Sequence, residues 1–472
     1  MTRDIPLSGD TICAISTPAG VGGIAVARIS GPKAFEITGR CWKGADLAAA
    51  ASHTAHLGTV CDSAGMPLDQ CVATVFRGPR SFTGEDVVEI SVHGSRYVQR
   101  ELLRTLTACG ARLAEAGEFT RRAFANGRMD LTEAEAVADV IASTSRAAHR
   151  IAISQMRGGV SKRLEELRAK LVDLASLLEL ELDFSEEEVE FASRTHLRRL
   201  TSEICTEINR LHGSFAAGNA IKEGIPVAIV GSTNAGKSSL LNALLDDERA
   251  ITSDIPGTTR DTIEEQLEIG DYMFRFIDTA GIRDTDDAVE RIGIDRSLKA
   301  IGKARIVIAV VDPFQPVDKE MLASIADTTA HGESPARLII ALNKSDIPHT
   351  ALSAQARDAV QQLEAGNALH IEISAKTGHG LESLRAALTD AASAESDTDR
   401  QDVMITNLRQ AEALARALVS TRRIEEGLDT QLPPDLIAQD VRETIHHLSE
   451  ITGTISTPEI LQTIFSRFCI GK

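Results

Sequence analysis

Five short, unbroken apolar runs punctuate residues 221–395: "IPVAIV", "MFRFID", "RIVIAVVD", "LIIALN" and "LHIEIS". Each has strand length and is read as a short apolar run of the kind typical of buried parallel strands, whose two faces both need cover. Helical periodicity fills the gaps between them. That alternation confines the segment to a doubly wound, largely parallel sheet. The flanks read differently. "MDLTEAEAVADVIASTS" and "RLEELRAKLVDLASLLELELDF" before it, and "NLRQAEALARALVSTRRIEEG" and "LIAQDVRETIHHLSEIT" after it, carry apolar residues at three and four spacing. The α/β segment is therefore expected to be an insertion in a helical domain. Ahead of both, short β-prone runs, Pro/Gly turns and the amphipathic "RYVQRELLRTLTACG" predict a separate α/β domain. The expected division is 1–125, 126–220, 221–395 and 396–472, a multidomain α/β plus all-α chain.

Composition narrows the function classes. The formal charge of −18 is unlike that of a self-sufficient nucleic-acid binder, so any RNA contact must use a local patch or a partner's field. Seven scattered cysteines with no C-x-x-C argue against a disulfide framework and a zinc site. The N-terminus lacks the apolar core of a signal peptide, and no apolar run approaches a membrane span. A cytoplasmic chain with no membrane contact is expected.

The chemistry lies at the ends of the apolar runs. "GSTNAGKS" (231–238) fits G-x-x-x-x-G-K-[ST] between a strand and a helix, a loop whose N–H groups cradle phosphates. Lys237 would reach the β- and γ-phosphates and Ser238 a Mg²⁺. In "DTAG", Asp278 would approach Mg²⁺ through water and Gly281 N–H would face the γ-phosphate, with Thr279 and Ala280 between them. In "NKSD", Asp346 can accept two hydrogen bonds from guanine that adenine cannot offer. "SAK" then supplies the Ala375 N–H toward guanine O6. These motifs in this order define a GTP site on a Ras-like P-loop G domain. Its candidate contacts are Asn234, Ala235, Gly236, Lys237, Ser238 and Ser239; Ser253, Asp254, Ile255, Pro256, Gly257, Thr258 and Thr259; Asp278, Thr279, Ala280 and Gly281; Asn343, Lys344 and Asp346; and Ser374, Ala375 and Lys376. Of the two loop threonines, Thr259 is the choice for Mg²⁺. The position after "DTAG", where many small GTPases carry a water-orienting Gln, is Ile282. Glu290 is a candidate replacement.

The G motifs, "TTRD", "DTAGI…VERIGI", the terminal "FCIGK" and the N-terminal "TPAGVGGIAVARISGP" and "GEFTRRAFANGRMDLTEAEAVADVI" together resemble the MnmE (TrmE) family. These are TrmE-Era-EngA-like GTPases of tRNA uridine-5-carboxymethylaminomethyl modification. The resemblance covers nearly the whole chain. It implies an N-terminal domain that binds folate and dimerises, a helical domain built from both flanks, and an inserted GTPase domain. It implies GTP hydrolysis coupled to adding an aminomethyl or carboxymethylaminomethyl group to C5 of wobble uridine U34. The partners implied are tRNA, a second copy as homodimer, and the FAD-containing flavoprotein MnmG (GidA). A tetrahydrofolate, 5-formyl or 5,10-methylene, supplies the one-carbon unit. Hydrolysis is stimulated by K⁺-dependent pairing of G domains, a fixed cation standing in for an arginine.

Carried over residue by residue, the resemblance gives K⁺ to Asn234, Ser253, Ile255 and Thr258, and Mg²⁺ to Ser238 and Thr259. Glu290 becomes the catalytic water-orienting group. Folate falls to Arg28, Glu89, Arg128 and Lys472. Arg128 stands where other members carry Lys, and Val21 where a basic residue is common. Read without the resemblance, Arg28 and Glu89 are equally an ordinary ion pair. Cys469, in the terminal "SRFCIGK", is a candidate catalytic thiol or a packing residue. The tail is expected to reach the folate site. A GTPase switch of ribosome assembly that binds RNA is the alternative to a modification enzyme, and the G motifs do not separate them.

Overall fold

The computed structural model describes residues 9–183, 194–249, 264–277, 300–315, 325, 327–329, 336–347, 369–396, 403–466, 468 and 471. They form two compact units, one of residues 1–141, 153–212 and 409–472, the other of 142–152 and 213–408.

The first unit holds a seven-stranded sheet of β1 (Ile12–Ile15), β2 (Gly22–Ser30), β3 (Trp42–Gly44), β4 (Thr54–Cys61), β5 (Pro67–Phe76), β6 (Val87–Gly94) and β7 (Arg112–Leu113), in the order β3-β4-β5-β6-β2-β1-β7. All neighbours are antiparallel except β1 and β7. Period-two alternation gives the sheet two distinct faces. Ala25, Ala27 and Ile29 of β2 point to a core covered by the helices Ala34–Cys41 and Arg96–Ala108. Ile12 and Ala14 of β1 point the other way, onto Phe119 and Phe82.

The flanking helices meet in the same unit. Arg409, after the insertion, grips Glu135, before it, with both arms at 2.8 and 2.9 Å, and Gln410 Nε2 adds a bond of 2.7 Å. Glu135 is buried, so its charge needs this cation. Arg409 also donates to the last carbonyls of the Pro434–Thr452 helix, Glu450 O and Ile451 O, at 2.9 and 3.0 Å. A second ionic cluster centres on the more deeply buried Arg122 and Glu118. Arg122 reaches Asp10, Glu85 and Glu118, and Arg112 reaches Asp10 and Glu118.

The second unit carries β8 (Ile225–Val230), β9 (Glu265–Ile269), β10 (Tyr272–Ile277), β11 (Ile306–Val311), β12 (Arg337–Leu342) and β13 (Leu369–Glu372). Their order is β13-β12-β11-β8-β10-β9, parallel throughout except for the β9–β10 hairpin. The central strands β8 and β11 are buried at every position, as their unbroken apolar runs require. "LHIEIS" departs from its reading as a buried strand: β13 is an edge, and Leu369 is 42% exposed. The segment 142–152, read from the sequence as helical domain, packs into this unit. Ala147 and Ala148 join its core, and Ala147 N–H donates to Asp271 O at the β9–β10 turn at 2.9 Å. Where the inserted segment leaves and returns, Ile405 N–H donates to Ser214 Oγ at 3.0 Å.

Candidate functional site

Three of the nucleotide motifs, the phosphate loop, "NKSD" and "SAK", meet at the carboxyl ends of β8, β12 and β13, where an open α/β sheet offers its ligand crevice. The loop after β8 turns into the Lys237–Arg249 helix. Asn234 takes a left-handed φ of 64° and Gly236 one of 96°. A Cβ on Gly236 would lie 2.1 Å from Asn343 Nδ2, so only glycine lets the loop approach that side chain. Asn343, buried at the end of β12, ties three motifs together. Its Nδ2 donates to Ala235 O at 2.8 Å, and its Oδ1 accepts from Ala375 N–H at 3.0 Å. The N–H expected to address guanine O6 is thus engaged by Asn343.

Lys237 Nζ donates to Gly231 O and Ser232 O, both at 2.9 Å. Burial holds its ammonium below the usual lysine range. A half-buried cation whose hydrogen bonds, among the described residues, go only to carbonyls is an electrostatic demand for an anion, which fits a phosphate. Asp346 accepts from Ser374 Oγ at 2.7 Å, and that bond first, with nearby Lys376 and Lys344, holds its carboxyl below the ordinary aspartate range. It therefore stays ionised at neutral pH. Lys344, at φ 65°, reaches Asp312 Oδ2 at 2.6 Å. Asp312 was missed in the sequence, although a buried Asp closing "RIVIAVVD" is a signal in itself. Ser238 and Ser239 stand in the first turn of the Lys237–Arg249 helix, and Lys376 in the turn after β13. Ser253, Asp254, Ile255, Pro256, Gly257, Thr258, Thr259, Asp278, Thr279, Ala280, Gly281 and Glu290 lie outside the described residues.

In the first unit, Arg28 and Glu89 are direct cross-strand partners on β2 and β6, joined at 2.8 Å. The Arg28 guanidinium lies 5.0 Å from the Phe82 ring centre and 5.6 Å from that of Phe119. A cation–carboxylate pair beside aromatic rings fits a flat heterocycle with a hydrogen-bonding edge. Arg128 packs its stem on Gly84 of the "SFTGED" loop. The tail comes to the same face of the sheet within its own chain. Ser16 Oγ donates to Gly471 O at 3.0 Å, and Phe468 packs with Phe465 and Phe124. Gly471 has φ 98°, and a Cβ there would meet Ile15 O at 2.3 Å. Cys469 and Lys472 themselves lie outside the described residues. Burial pushes the Cys13 and Cys71 thiols up to about 11 and that of Cys41 up to about 12, which removes them from thiolate chemistry.

Two family profiles match the chain: the TrmE N-terminus of GTP-binding proteins over residues 11–128, and the MnmE helical domain over residues 131–469. The chain belongs to the MnmE family. Curated relatives agree along their full length. The tRNA modification GTPase MnmE of Parabacteroides distasonis is 48% identical over 467 residues, covering 98% of this chain and 100% of the relative. That of Cytophaga hutchinsonii is 47% identical, covering 98% of each, and that of Bacteroides fragilis strain YCH46 is 46% identical, covering 99% and 100%. Among the described residues no helix is long and apolar enough to cross a membrane.

Proposed function

We propose that this chain is a GTP-hydrolysing enzyme of tRNA modification that directs an aminomethyl or carboxymethylaminomethyl group to C5 of wobble uridine U34. The observation that carries the reading is the Asn343 junction. It brings the phosphate loop, "NKSD" and "SAK" to one crevice, in a chain whose other parts match the MnmE family from end to end.

In this reading Lys237 and the loop N–H groups hold the phosphates, and Asp346 selects guanine. Ser238 and Thr259 hold Mg²⁺, which supplies charge neutralisation on the phosphates. Asn234, Ser253, Ile255 and Thr258 hold K⁺, which supplies the positive charge an arginine finger gives elsewhere. Glu290 orients the attacking water. Arg28, Glu89, Arg128 and Lys472 hold a tetrahydrofolate as one-carbon donor, and Cys469 serves the uridine chemistry. The cytoplasmic protein acts as a homodimer with the flavoprotein MnmG. Residues 1–125, 126–220 with 396–472, and 221–395 are its folate, helical and GTPase domains.

Mass spectrometry of nucleosides from bulk tRNA, with and without this gene, tests the reading. Deletion should remove the 5-aminomethyl-type uridines, and the intact chain should restore them. Unchanged uridines would refute the assignment and leave a ribosome-assembly switch.

A further inference from the structure

On the face of the seven-stranded sheet opposite Arg28 and Glu89, the Arg96–Ala108 helix carries three exposed arginines. Arg96, Arg100 and Arg104 recur at every fourth residue and are exposed. They form one row, about 6 Å from each to the next. The row walls an open cleft of 580 Å³ with Leu103 and Leu113 among its apolar lining. Gln99 Nε2 donates to Gly20 O at 3.3 Å and fixes the β1–β2 turn as the other wall. No carboxylate lines the cleft among the described residues. Arg100 lies 3.7 Å from Glu101; neither Arg96 nor Arg104 has a carboxylate partner among the described residues.

The row is unfavourable for the helix that bears it. Like charges four apart repel. Arg96 stands in the first turn, where the helix dipole disfavours a cation, and that turn holds no acidic residue to compensate. In a chain of formal charge −18, such a concentration of cations is the local patch that RNA contact requires. Tyr97 stands beside it, 59% exposed, its ring centre 5.8 Å from the Arg100 guanidinium. An aromatic next to a cationic row suits an unstacked base next to its backbone. A small anion would need donors that converge on one point. These are spread along a line of about 12 Å, which matches a chain of phosphates.

We propose that the arginine-lined cleft docks the sugar–phosphate backbone of the tRNA. This rests on the reading of tRNA as substrate, and it assigns the contact to a surface separate from both the nucleotide crevice and the Arg28–Glu89 pair.

The test is equilibrium binding of bulk tRNA to the full-length chain, by fluorescence anisotropy, across a series of NaCl concentrations. The triple variant Arg96→Gln, Arg100→Gln, Arg104→Gln should lower the slope of log K against log salt by about 2 and weaken binding on the order of 100-fold at 0.1 M salt. A triple lysine variant keeps the charges and should restore the slope. GTP hydrolysis and Trp42 fluorescence on urea unfolding should match wild type in both. If the triple glutamine variant folds poorly, Arg100→Gln alone should lower the slope by about 0.7. A folded glutamine variant with the wild-type slope overturns the proposal, and so does a lysine variant as weak as the glutamine one. Failure of the modification reading would show separately, as unchanged wobble nucleosides on gene deletion.

Discussion

Replacing Asn343 with Ala should disable nucleotide binding while leaving Lys237 and Asp346, the charged groups expected at the phosphates and the base, in place. The side chain is 3% exposed and makes two bonds of 2.8 and 3.0 Å to backbone groups of different loops. Its removal leaves Ala235 O and Ala375 N–H without these partners. A buried polar group left unpaired costs about 1–3 kcal/mol, and water recovers part of that in a crevice, so about 2–4 kcal/mol is expected for the two. Those loops must be held in place to bind GTP. The loss therefore falls on affinity, about 30-fold or more at 1.4 kcal/mol per factor of ten. Asn343→Asp should fare similarly, because it keeps the acceptor for Ala375 N–H but sets a carboxylate oxygen against Ala235 O. Titration with a fluorescent GTP analogue measures the effect. Trp42, the sole tryptophan, is buried in the other unit and provides an internal control, so its unfolding midpoint in urea should not move. Wild-type affinity in Asn343→Ala would refute the idea that this side chain organises the crevice.

Other expectations follow from the same geometry. Gly471→Ala, with its Cβ driven against Ile15 O, should dislodge the tail, abolishing uridine modification while phosphate release from GTP continues; normal nucleosides would deny the docked tail a role. Glu118→Gln should destabilise the first unit by about 3 kcal/mol, read from Trp42 in urea, because Arg112 and Arg122 lose a buried counter-charge. Burial pushes the Glu118 carboxyl up, but hydrogen bonds from Arg112, Glu115 N–H and Arg122 outweigh it and hold it below the ordinary range. Its contribution is therefore complete above the unfolded glutamate value of about 4.3 and fades as pH falls through the lower folded value. A gap between wild type and variant that persists unchanged at pH 2 would contradict this. Lys237 titrates below its ordinary value in the free crevice, and a phosphate should raise it, so GTP binding should take up protons as pH approaches about 10. Calorimetry in two buffers of different ionisation enthalpy detects the uptake. Hydrolysis should be much faster in K⁺ than in Na⁺, and Glu290→Ala should bind GTP but turn it over slowly; equal rates in the two salts would remove the cation role of Asn234 and its loop.

The inserted sheet is legible because burial on both faces leaves no polar residue in a strand such as "IVIAVV", and the P-loop follows its strand directly. The fold class needed only local pattern. Partner choice did not follow from it. "AAHRIAI" has the periodicity of any amphipathic helix, and only the packing of Ala147 and Ala148 assigns it to the nucleotide unit. The Asn343 bridges span 108 and 32 residues, and the Arg409–Glu135 grip spans 274. No window of sequence contains both ends of such pairs. Arg28 and Glu89 were named as either a ligand pair or an ion pair. Their bond at 2.8 Å is compatible with both, and the rings of Phe82 and Phe119 beside them are what sequence spacing could not supply.

The hydrogen bond between Ser214 and Ile405 bears on how such a chain could have arisen. The two residues are 191 positions apart, and a slack segment of that length would cost about 4–5 kcal/mol in closure entropy. A folded segment whose ends already meet imposes almost none of that on the chain that receives it. To its host, the segment from Ser214 to Ile405 weighs entropically little more than a tight turn, so a folded unit of this length can be spliced into a helical chain at small entropic cost.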